Sequence, residues 1–325
     1  MAVHFTGPLH VDGVPVHGVI PTQGKSIFVK PSTGSDINSG LSADNAIKTL
    51  AQAQTLATAN QNDVVYLFAE SNTASATTDY QSATLDWAKD LVHLVGVGAP
   101  VAVSQRSRIA ALSTAAAISP LVTFSGDGCI IRNIQIFHGQ ASASALICAK
   151  VTGTRNYFEN VHFAGVGDVT QSAAGACSLK IDAGAENVFR HCVIGLDTIS
   201  RDADATEILF DTNATRNLFE DCFITSYISA AGFASVTVAD ATGIDRWQIF
   251  KNCLFMTDST NRAVTQDQVF SIPSISQGRI ILMNSYYNTD GATGAGVWAT
   301  TGVGAIWNNS VAAAGAAAGG EMTKL

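Results

Sequence analysis

The chain of 325 residues is poor in charged side chains, which make up 14% of it, and its few lysines and arginines form no basic stripe. The formal net charge is −8. Binding of nucleic acid relies on clustered Lys and Arg, so this composition argues against a nucleic-acid partner. Apolar residues make up 47% of the chain and leave a surface composed largely of Ser, Thr, Asn and Ala. Such a surface suits a close-packed particle better than a highly solvated enzyme.

The sequence also lacks targeting signals and familiar catalytic motifs. No apolar run approaches the length of a membrane span, and residues 1–18 lack the basic and apolar regions of a secretory signal. We therefore expect synthesis in a reducing compartment and no membrane association. The G-x-S-x-G, phosphate-loop and dinucleotide fingerprints do not occur, so nucleophilic and nucleotide chemistry have no support and we expect no cofactor.

What the sequence does contain is a phrase of about ten residues that recurs about six times. Ala185–Ile194 reads A-E-N-V-F-R-H-C-V-I and Thr215–Ile224 reads T-R-N-L-F-E-D-C-F-I. Looser copies lie at Gly128–Ile136, Arg155–Phe163, Trp247–Phe255 and Arg279–Tyr287. The polar residue at the centre of each copy, here called the anchor, is Asn133, Asn160, His191, Asp221, Asn252 or Asn284, at intervals of 27 to 32 residues. A period of this length indicates a solenoid.

Two mainly apolar columns flank the anchor. The column two places before it contains Ile131, Phe158, Phe189, Phe219, Phe250 and Leu282, and the column one place after it contains Ile134, Val161, Cys192, Cys222, Cys253 and Ser285. Alternation with period two, rich in Val, Ile and Phe, predicts strands on both sides of a polar corner. Each unit is too small to bury its own apolar face, so the units must stack.

Charges and amides give the register of the stack. The residue before the anchor alternates in sign through Arg132, Glu159, Arg190, Glu220 and Lys251, and a second column alternates through Arg155, Glu186 and Arg216. Equivalent residues of stacked parallel strands lie about 4.8 Å apart, where opposite charges attract. A further column, Asn156, Asn187, Asn217 and Gln248, predicts a ladder of amides. The acids of these columns are therefore interpreted as structural.

These columns resemble the right-handed parallel β-helix of the pectate-lyase-like superfamily, and the resemblance covers the chain from about Ser26 onward. The phrase G-S-D-x-N-S-G-L-S-x-x-x-A-x-K-T-L at residues 34–50 is similar to the segment that opens many β-helix proteins, in which a short helix covers the first coil. We expect an all-β right-handed parallel β-helix with a short N-terminal capping helix. Its expected N-cap is Ser42, and Ile47, Leu50 and Ala53 share one face.

The predicted domain organisation has three parts. Residues 1–25 form an extended arm, residues 26–310 a single β-helix domain, and residues 311–325 a Gly/Ala-rich tail. A disordered terminus and a docking peptide are both compatible with the arm, whose apolar residues favour docking. Those candidate docking residues are Phe5, Leu9, Val11, Val14, Val16 and Val19. The opening H-F-T-G-P-L resembles segments that begin some tailed-phage head proteins.

The best enzymatic candidates are acidic residues outside the repeated phrase. A glycosidase needs two carboxylates about 5–10 Å apart on one face. Asp202, Asp204 and Glu207 form the densest acidic cluster, and Asp182 and Asp211 lie at similar positions in neighbouring coils. No His or Arg is placed beside them by the repeat, so solvated loop acids are the favoured interpretation and no catalytic residue is assigned.

Two groups of residues could suggest metal sites, and neither is assigned as one. His191 beside Cys192, with Cys222 and Cys253 in the same column, could suggest zinc, but a stack arranges ligands along a line and zinc requires tetrahedral convergence. Buried thiols are the favoured interpretation. The loop with Gly34, Asp36, Asn38 and Gly40 lacks the distal Glu of a calcium loop, so a structural loop is favoured.

The column two places after the anchor points outward and changes from polar to apolar along the stack. It contains Gln135, His162, Val193, Phe223, Leu254 and Tyr286. An apolar outward stripe indicates a covered surface, either against a loop of the same chain or against another subunit. Phage β-helix proteins that this chain resembles are typically homotrimers, so we expect a subunit interface at Val193, Phe223, Leu254 and Tyr286.

Two function classes follow from these patterns. The favoured one is a non-enzymatic virion structural protein resembling tailed-phage head decoration or cement proteins, made in the host cytoplasm, with the major capsid protein or another virion protein as its partner. The alternative is a tail-spike-like β-helix that binds or cleaves polysaccharide. The missing convergent carboxylates and the absent secretion signal favour the first class.

Overall fold

The computed structural model describes residues 24–260, 263–289, 298–300 and 306–308, together with a small antiparallel hairpin of His10–Val11 and Val14–Pro15. The described residues form an all-β parallel β-helix of about seven turns, as the repeat predicts. One α-helix, Leu50–Leu56, lies in this part of the chain. Short 3₁₀ helices occur at Ala43–Asn45, Ala74–Ala76 and Val169–Gln171.

Three parallel sheets run along the solenoid, and most turns contribute one strand to each. In the described residues, sheet 1 has ten strands. They are Ser26–Val29, Val64–Phe68, His93–Val97, Ile130–Arg132, Tyr157–Glu159, Val188–Arg190, Ala214–Glu220, Ile244–Lys251, Arg279–Met283 and Ile306–Asn308. This sheet contains the part of each repeated phrase that precedes the anchor.

Sheet 2 follows the anchor, and sheet 3 follows sheet 2 after a loop. Sheet 2 comprises Thr78–Gln81, Arg108–Ala111, Gln135–Phe137, His162–Ala164, Val193–Ile194, Ser200–Arg201, Phe223–Ile228, Leu254–Ser259 and Tyr286–Thr289. Sheet 3 comprises Leu85–Trp87, Val122–Phe124, Ile147–Val151, Cys177–Asp182, Thr206–Asp211, Val236–Val238 and Phe270–Ser271. The repeated phrase did not reveal sheet 3. One of its strands, Val236–Val238, lies between the copies of the repeated phrase at Thr215–Ile224 and Trp247–Phe255.

Each anchor is the residue at which the chain turns sharply from sheet 1 to sheet 2. All six anchors have a positive φ, between 49° for Asn284 and 56° for Asn133. The left-handed region disfavours most side chains but tolerates Asn and Asp, because a short polar side chain can hydrogen-bond locally. This backbone requirement explains why four of the six anchors are Asn and one is Asp, and His191 belongs to the third residue type that is enriched at a positive φ.

The Phe column of the repeat forms a continuous stack of rings inside the solenoid. Phe158, Phe189, Phe219 and Phe250 are fully buried, and successive ring centroids lie 4.7, 4.6 and 4.6 Å apart with planes within 11° of parallel. Burial of each Phe contributes about 1.5–3 kcal/mol. The predicted Phe column is therefore present in the core as a continuous stack.

The predicted amide ladder is also present. The backbone N–H of Asn156 donates to Oδ1 of Asn187 at 2.9 Å, and Nδ2 of Asn187 donates to Oδ1 of Asn217 at 3.1 Å. Nδ2 of Asn217 donates to Oε1 of Gln248 at 2.9 Å. All four side chains are buried, so each amide supplies partners that buried backbone and side-chain polar groups require.

The N-terminal cap covers the first coil, but its helix begins later than the sequence suggested. Ser42 caps only the 3₁₀ turn, whereas Thr49 is the N-cap of the α-helix and accepts a hydrogen bond from the N–H of Gln52. Ile47 instead forms a β-bridge with Val29 at the edge of sheet 1. The prediction of one helix after Ser42 was wrong in its start, because this strand edge requires a backbone partner at Ile47.

The loops between sheets 2 and 3 are tied to one another. In four loops one long side chain, here called a loop anchor, is buried and donates to a backbone carbonyl in the loop of the preceding turn. The pairs are Gln140 with Leu112, Gln171 with Ala145, Arg201 with Gly165, and Gln266 with Phe233, at 3.0, 2.7, 2.8 and 3.3 Å. The loops of successive turns therefore stack on one another.

Candidate functional site

The acids of the repeated phrase are paired with cations, as the alternating charges predict. On sheet 1, Arg132 Nε lies 2.8 Å from Glu159 Oε2, and Lys251 Nζ lies 2.7 Å from Glu220 Oε1. Arg190 Nε lies 3.5 Å from Glu220 Oε2. Glu159, Arg190 and Glu220 occupy the same register position in successive strands. The carboxylates of Glu159 and Glu220 therefore form ion pairs with residues of neighbouring turns.

The second charge column is confirmed as well. Arg155 Nε lies 2.8 Å from Glu186 Oε2, and Arg216 Nη1 lies 2.5 Å from Glu186 Oε1. Arg155, Glu186 and Arg216 all have a positive φ, so this column marks a further sharp corner of each turn. The carboxylate of Glu186 thus has a cation on either side.

Two of the candidate catalytic acids belong to a third ion-pair network, on sheet 3. Lys150 Nζ lies 2.7 Å from Asp182 Oδ2, and Lys180 Nζ lies 2.7 Å from Asp211 Oδ2. The pKa of Asp182 is lowered, since hydrogen bonding from Lys150 and Thr212 outweighs its partial burial. Asp182 is therefore held in the ionised form by its neighbours, which is the opposite of what a general acid requires.

The cluster of Asp202, Asp204 and Glu207 divides into exposed and buried members. Asp204 is exposed and Asp202 is half-buried, and Oδ1 of Asp202 accepts a hydrogen bond from the N–H of Asp204. Glu207 is fully buried, as is its partner Arg201, whose Nε lies 2.5 Å from Glu207 Oε1. The interpretation as solvated loop acids was therefore wrong for Glu207, because this residue lies in a strand of sheet 3 and Arg201 from the preceding loop packs over it.

The buried pair joins the loop strand Ser200–Arg201 to sheet 3 and to the loop of the preceding turn. Ser178 Oγ donates to Glu207 Oε2, and the Arg201 guanidinium donates to the carbonyl of Gly165. Burial raises the pKa of Glu207, while Arg201 and the serine hydroxyls oppose that rise. Gly195 leaves room for the carboxylate, since a Cβ there would lie 2.6 Å from Glu207 Cδ. The pair fixes the position of the strand Ser200–Arg201 beside Phe223–Ile228.

The cysteine column contains buried thiols, and His191 lies elsewhere. All six cysteines are free and buried. Burial raises the pKa of Cys222 and Cys253, which keeps both thiols protonated. His191 is half-exposed on the outer surface, with Nε2 3.5 Å from Asp221 Oδ2. Within the described ranges, no group of three or more His, Cys, Asp or Glu residues is arranged to hold a metal ion.

The outward column of sheet 2 becomes more exposed along the stack. Register pairs align Val193 with Phe223, Phe223 with Leu254, and Leu254 with Tyr286. Val193 is only 3% exposed and Phe223 is half-buried, whereas Leu254 is 40% and Tyr286 is 59% exposed. The structure therefore brings the four residues together as one stripe, of which the last two side chains are open to solvent.

At the start of the same column, a loop of the chain itself covers the sheet. The N–H of Ser104 donates to Nδ1 of His162 at 3.3 Å, and Nε2 of Gln105 donates to the carbonyl of Asn160 at 2.7 Å. Burial lowers the pKa of His162 to about 4, so its imidazole is neutral at neutral pH. Gln135 and His162 are buried beneath this loop.

A groove lies beside the first strand of sheet 2 and was not identified from the sequence. Two clefts of about 310 and 370 Å³ meet at Thr49, Asp79 and Tyr80. The first is also lined by Pro31, Ser32, Lys48, Ser75, Ala76 and Thr78, and the second by Ala51, Gln54, Gln81, Ser82, Ala83, Thr84, Leu85 and Asp86. We call the two clefts together the Tyr80 groove. Its residues precede the first copy of the repeated phrase, so no column could identify them.

Asp79 is the most perturbed acid of the groove. It is buried, and its Oδ2 accepts a hydrogen bond from the N–H of Leu50 at 2.9 Å. Burial raises the pKa of Asp79 to about 6, partly opposed by the hydrogen bonds from Leu50 and Gln81. Tyr80, the next residue along the strand, points the other way and is 46% exposed. The groove thus combines a buried carboxyl group with an exposed aromatic ring.

Most of the arm lies outside the described residues. Val11 pairs with Val14 in the small hairpin. Phe5, Leu9, Val16 and Val19 lie outside the part of the chain that the structure describes, as do residues 311–325 of the predicted tail. Among the described residues, no helix is long and apolar enough to cross a membrane.

Comparison with known proteins identifies the fold. No protein-family model matches the chain, and no curated protein does so either. The solved structure of pectate lyase Pel9A is similar at 14% identity with a TM-score of 0.55, over 89% of this chain and 69% of that one. The pectin methylesterase from Aspergillus niger is similar at 15% identity with a TM-score of 0.55, over 94% and 92%. A structure titled Geobacillus virus E2 ORF18 reaches a TM-score of 0.40 at 12% identity, over 88% and 57%, which is too low to support any argument. At these identities, what the chain shares with the two pectin-active enzymes is the pectate-lyase-like parallel β-helix fold.

Proposed function

We propose that this chain is a non-enzymatic structural protein of a bacteriophage virion, in which residues 1–25 dock on the capsid and the β-helix projects as a rigid body. The observation that carries the proposal is that three of the carboxylates that could serve catalysis are held in ion pairs. Asp182 and Asp211 are paired with lysines, and Glu207 is buried against Arg201. These acids therefore stabilise the stack, as expected of a protein whose role is rigidity.

The partner in this proposal is the major capsid protein or another virion protein, contacted by the apolar residues of the arm. Its test is deletion of residues 1–23, followed by sedimentation with intact particles. The deletion keeps Lys25, whose N–H donates to Asp63 Oδ1 at 2.6 Å and belongs to the fold. Attachment should be lost while the thermal unfolding midpoint changes little, and retained attachment would overturn the role of the arm.

The proposed assembly is a homotrimer whose subunits meet at the outward stripe. Leu254 and Tyr286 supply the exposed aliphatic and aromatic side chains that subunit interfaces favour, beside the half-buried Phe223. Leu254→Glu should shift the protein to monomer in light scattering at micromolar concentration. Ile275→Glu, at a side chain that is 76% exposed and outside the stripe, should leave the assembly unchanged. A wild-type protein that is monomeric at all concentrations would overturn this assembly.

A second candidate function is a polysaccharide-active β-helix. It is favoured by the fold shared with the pectin-active enzymes and by the raised pKa of Asp79, which lies in a cleft as a general acid would. The test is incubation with polygalacturonate and methylated pectin, with detection of new reducing ends and of unsaturated products. If the wild type releases such products and the Asp79→Asn variant still does so, Asp79 is excluded as the general acid. Release by the wild type that disappears in this variant would replace the first proposal.

A further inference from the structure

The outer face of sheet 1 carries a row of six apolar side chains, here called the sheet 1 row. Each member stands next to an inward-facing core residue of its strand, so its own side chain points out of the solenoid. Register pairs align the six members turn by turn, and all six are half-buried. They are Ile130, Tyr157, Val188, Leu218, Ile249 and Ile281. With strands stacked about 4.8 Å apart, the row is about 24 Å long.

The outer face of sheet 3 differs from the sheet 1 row, although both sheets run through successive turns of the same solenoid. Its aligned outward residues are Thr123, Lys150, Lys180, Leu209, Thr237 and Ser271. Five of these six are polar or charged, which is the usual composition of a sheet face in water. The sheet 1 row, which is aliphatic and aromatic throughout, therefore has the composition of a surface that is covered.

Charged columns run along both sides of the sheet 1 row, and within each of three successive turns the two sides have opposite signs. The flanking pairs are Arg155 and Glu159 around Tyr157, Glu186 and Arg190 around Val188, and Arg216 and Glu220 around Leu218. Arg155 and Arg190 pair with carboxylates of neighbouring turns, yet their side chains remain 72% and 44% exposed. Both guanidinium groups can therefore reach a second carboxylate outside their own subunit.

This arrangement of charges is complementary to itself. A two-fold axis parallel to the solenoid axis places two copies face to face at the same height and exchanges their left and right flanks. Arg155 of one copy then faces Glu159 of the second copy, and opposite charges meet at all three turns. A shift by one turn would set Arg155 against Arg190 and Glu186 against Glu220, so the charges also select the register.

We propose that the sheet 1 row is a two-fold contact between copies of this chain, in which two solenoids lie parallel and in register. The row and its flanks offer roughly 300–400 Å² on each copy, since about four residues of each strand take part at about 3.3 Å per residue. Two such faces bury less than the roughly 1,000 Å² of a stable complex in solution, so the contact forms where copies are concentrated side by side. A particle surface as the place of that concentration rests on the proposed function, whereas the contact itself does not.

The test places single cysteines on the two-fold axis, where a residue meets its own counterpart in the second copy. Val188→Cys, Leu218→Cys and Ile249→Cys are oxidised with copper phenanthroline at submillimolar protein concentration and separated on non-reducing gels. All three should form a covalent dimer, because in the parallel arrangement all three positions lie on the axis. The six native cysteines are buried and take no part. Thr237→Cys, at a half-buried outward position of sheet 3, is the matched control and should stay monomeric on the gel.

The same variants in a Leu254→Glu background separate this contact from the proposed trimer. The covalent dimers should still form, because the outward stripe of sheet 2 takes no part in the contact. Thermal unfolding midpoints confirm that each variant keeps the fold. Absence of dimers, a dimer at only one of the three positions, equal cross-linking of Thr237→Cys, or loss of all cross-linking with Leu254→Glu would each overturn the proposal.

A charge reversal beside the Val188→Cys position tests the register. Arg155→Glu sets an acid against Glu159 of the second copy, so the cross-linked fraction at low salt should fall about fivefold. Arg155→Gln removes the charge without adding an acid and should lower the fraction less. Equal cross-linked fractions with Arg, Gln and Glu at this position would overturn the in-register arrangement.

Discussion

The rings of Phe189 and Phe219 lie face to face, with centroids 4.6 Å apart and planes 7° from parallel. They come from strands paired in register thirty residues apart, so the stack follows directly from the repeat. Phe210 packs its edge against Phe219 from sheet 3, with centroids 6.0 Å apart. Phe219 is therefore a point at which two sheets and three successive turns meet.

Phe219→Ala should destabilise the protein by about 3–5 kcal/mol, since it leaves a cavity in the middle of the ring stack. The measurement is urea unfolding followed by circular dichroism. Val103→Ala is the control, because this side chain is 49% exposed and its loss should change the free energy of unfolding by less than about 0.5 kcal/mol. Equal effects of the two substitutions would show that the stack contributes little.

Glu207→Gln should destabilise the protein by about 3–5 kcal/mol, because it leaves the Arg201 charge buried without its counterion. The double variant Arg201→Met with Glu207→Gln should recover part of this loss, since no uncompensated charge remains. A double-mutant cycle in urea unfolding measures the coupling between the two residues. A coupling free energy near zero would contradict the buried ion pair.

Acidification should destabilise the protein between about pH 6.5 and 4 through His162. The unfolded histidine takes up a proton near its ordinary pKa of 6.5, whereas the folded one does so only near 4. In this window the unfolded state binds more protons, so stability falls as the pH falls, by an amount on the order of 2–3 kcal/mol. Asp79 acts in the opposite direction between pH 6 and 3.8, because its folded pKa is raised.

The two contributions can be separated by thermal unfolding midpoints recorded across pH 4–7. His162→Gln should flatten the fall in midpoint on acidification, whereas Asp79→Asn should make it steeper by removing the opposing group. Gln can retain the hydrogen bond to the carbonyl of Gly195, which Nε2 of His162 makes at 3.0 Å. An unchanged pH profile in His162→Gln would show that this histidine does not control acid sensitivity.

Arg190→Glu should lower the unfolding midpoint at low salt and have a smaller effect at high salt. The substitution places an acid between Glu159 and Glu220 in the register of sheet 1. At an ionic strength of about 1 M the screening length falls to about 3 Å, so the repulsion should largely disappear. Arg190→Gln, which removes the charge without adding an acid, should lower the midpoint less. Equal midpoint losses at all salt concentrations would contradict the charge register.

The sequence predicted the features that repeat with the turn. Phe189 with Phe219, Asn187 with Asn217 and Glu186 with Arg216 could be paired from the period alone, because the register of stacked strands equals the alignment of the copies. The six anchors carried the same information, since a positive φ at that corner favours short polar residues such as Asn and Asp. Periodicity therefore gave two of the three sheets and the register of both.

Features that depend on inserts and termini could not be predicted in this way. Burial of Glu207 requires Arg201 to fold over it and Gly195 to leave space, and neither residue recurs in other turns. Sheet 3 follows loops of unequal length, so its strands fall out of phase with the repeated phrase. The Tyr80 groove is built by coils that lack the phrase altogether.

The hydrogen bonds of the loop anchors all run in one direction along the solenoid, from a later turn to the turn before it. Each of Gln140, Gln171, Arg201 and Gln266 donates to a carbonyl that precedes it in the chain, and their acceptors all lie one turn earlier. A loop of this kind can therefore be completed as soon as its own turn has been synthesised. On a ribosome, which delivers the N-terminus first, the stacked loops can close one after another in the order in which they emerge.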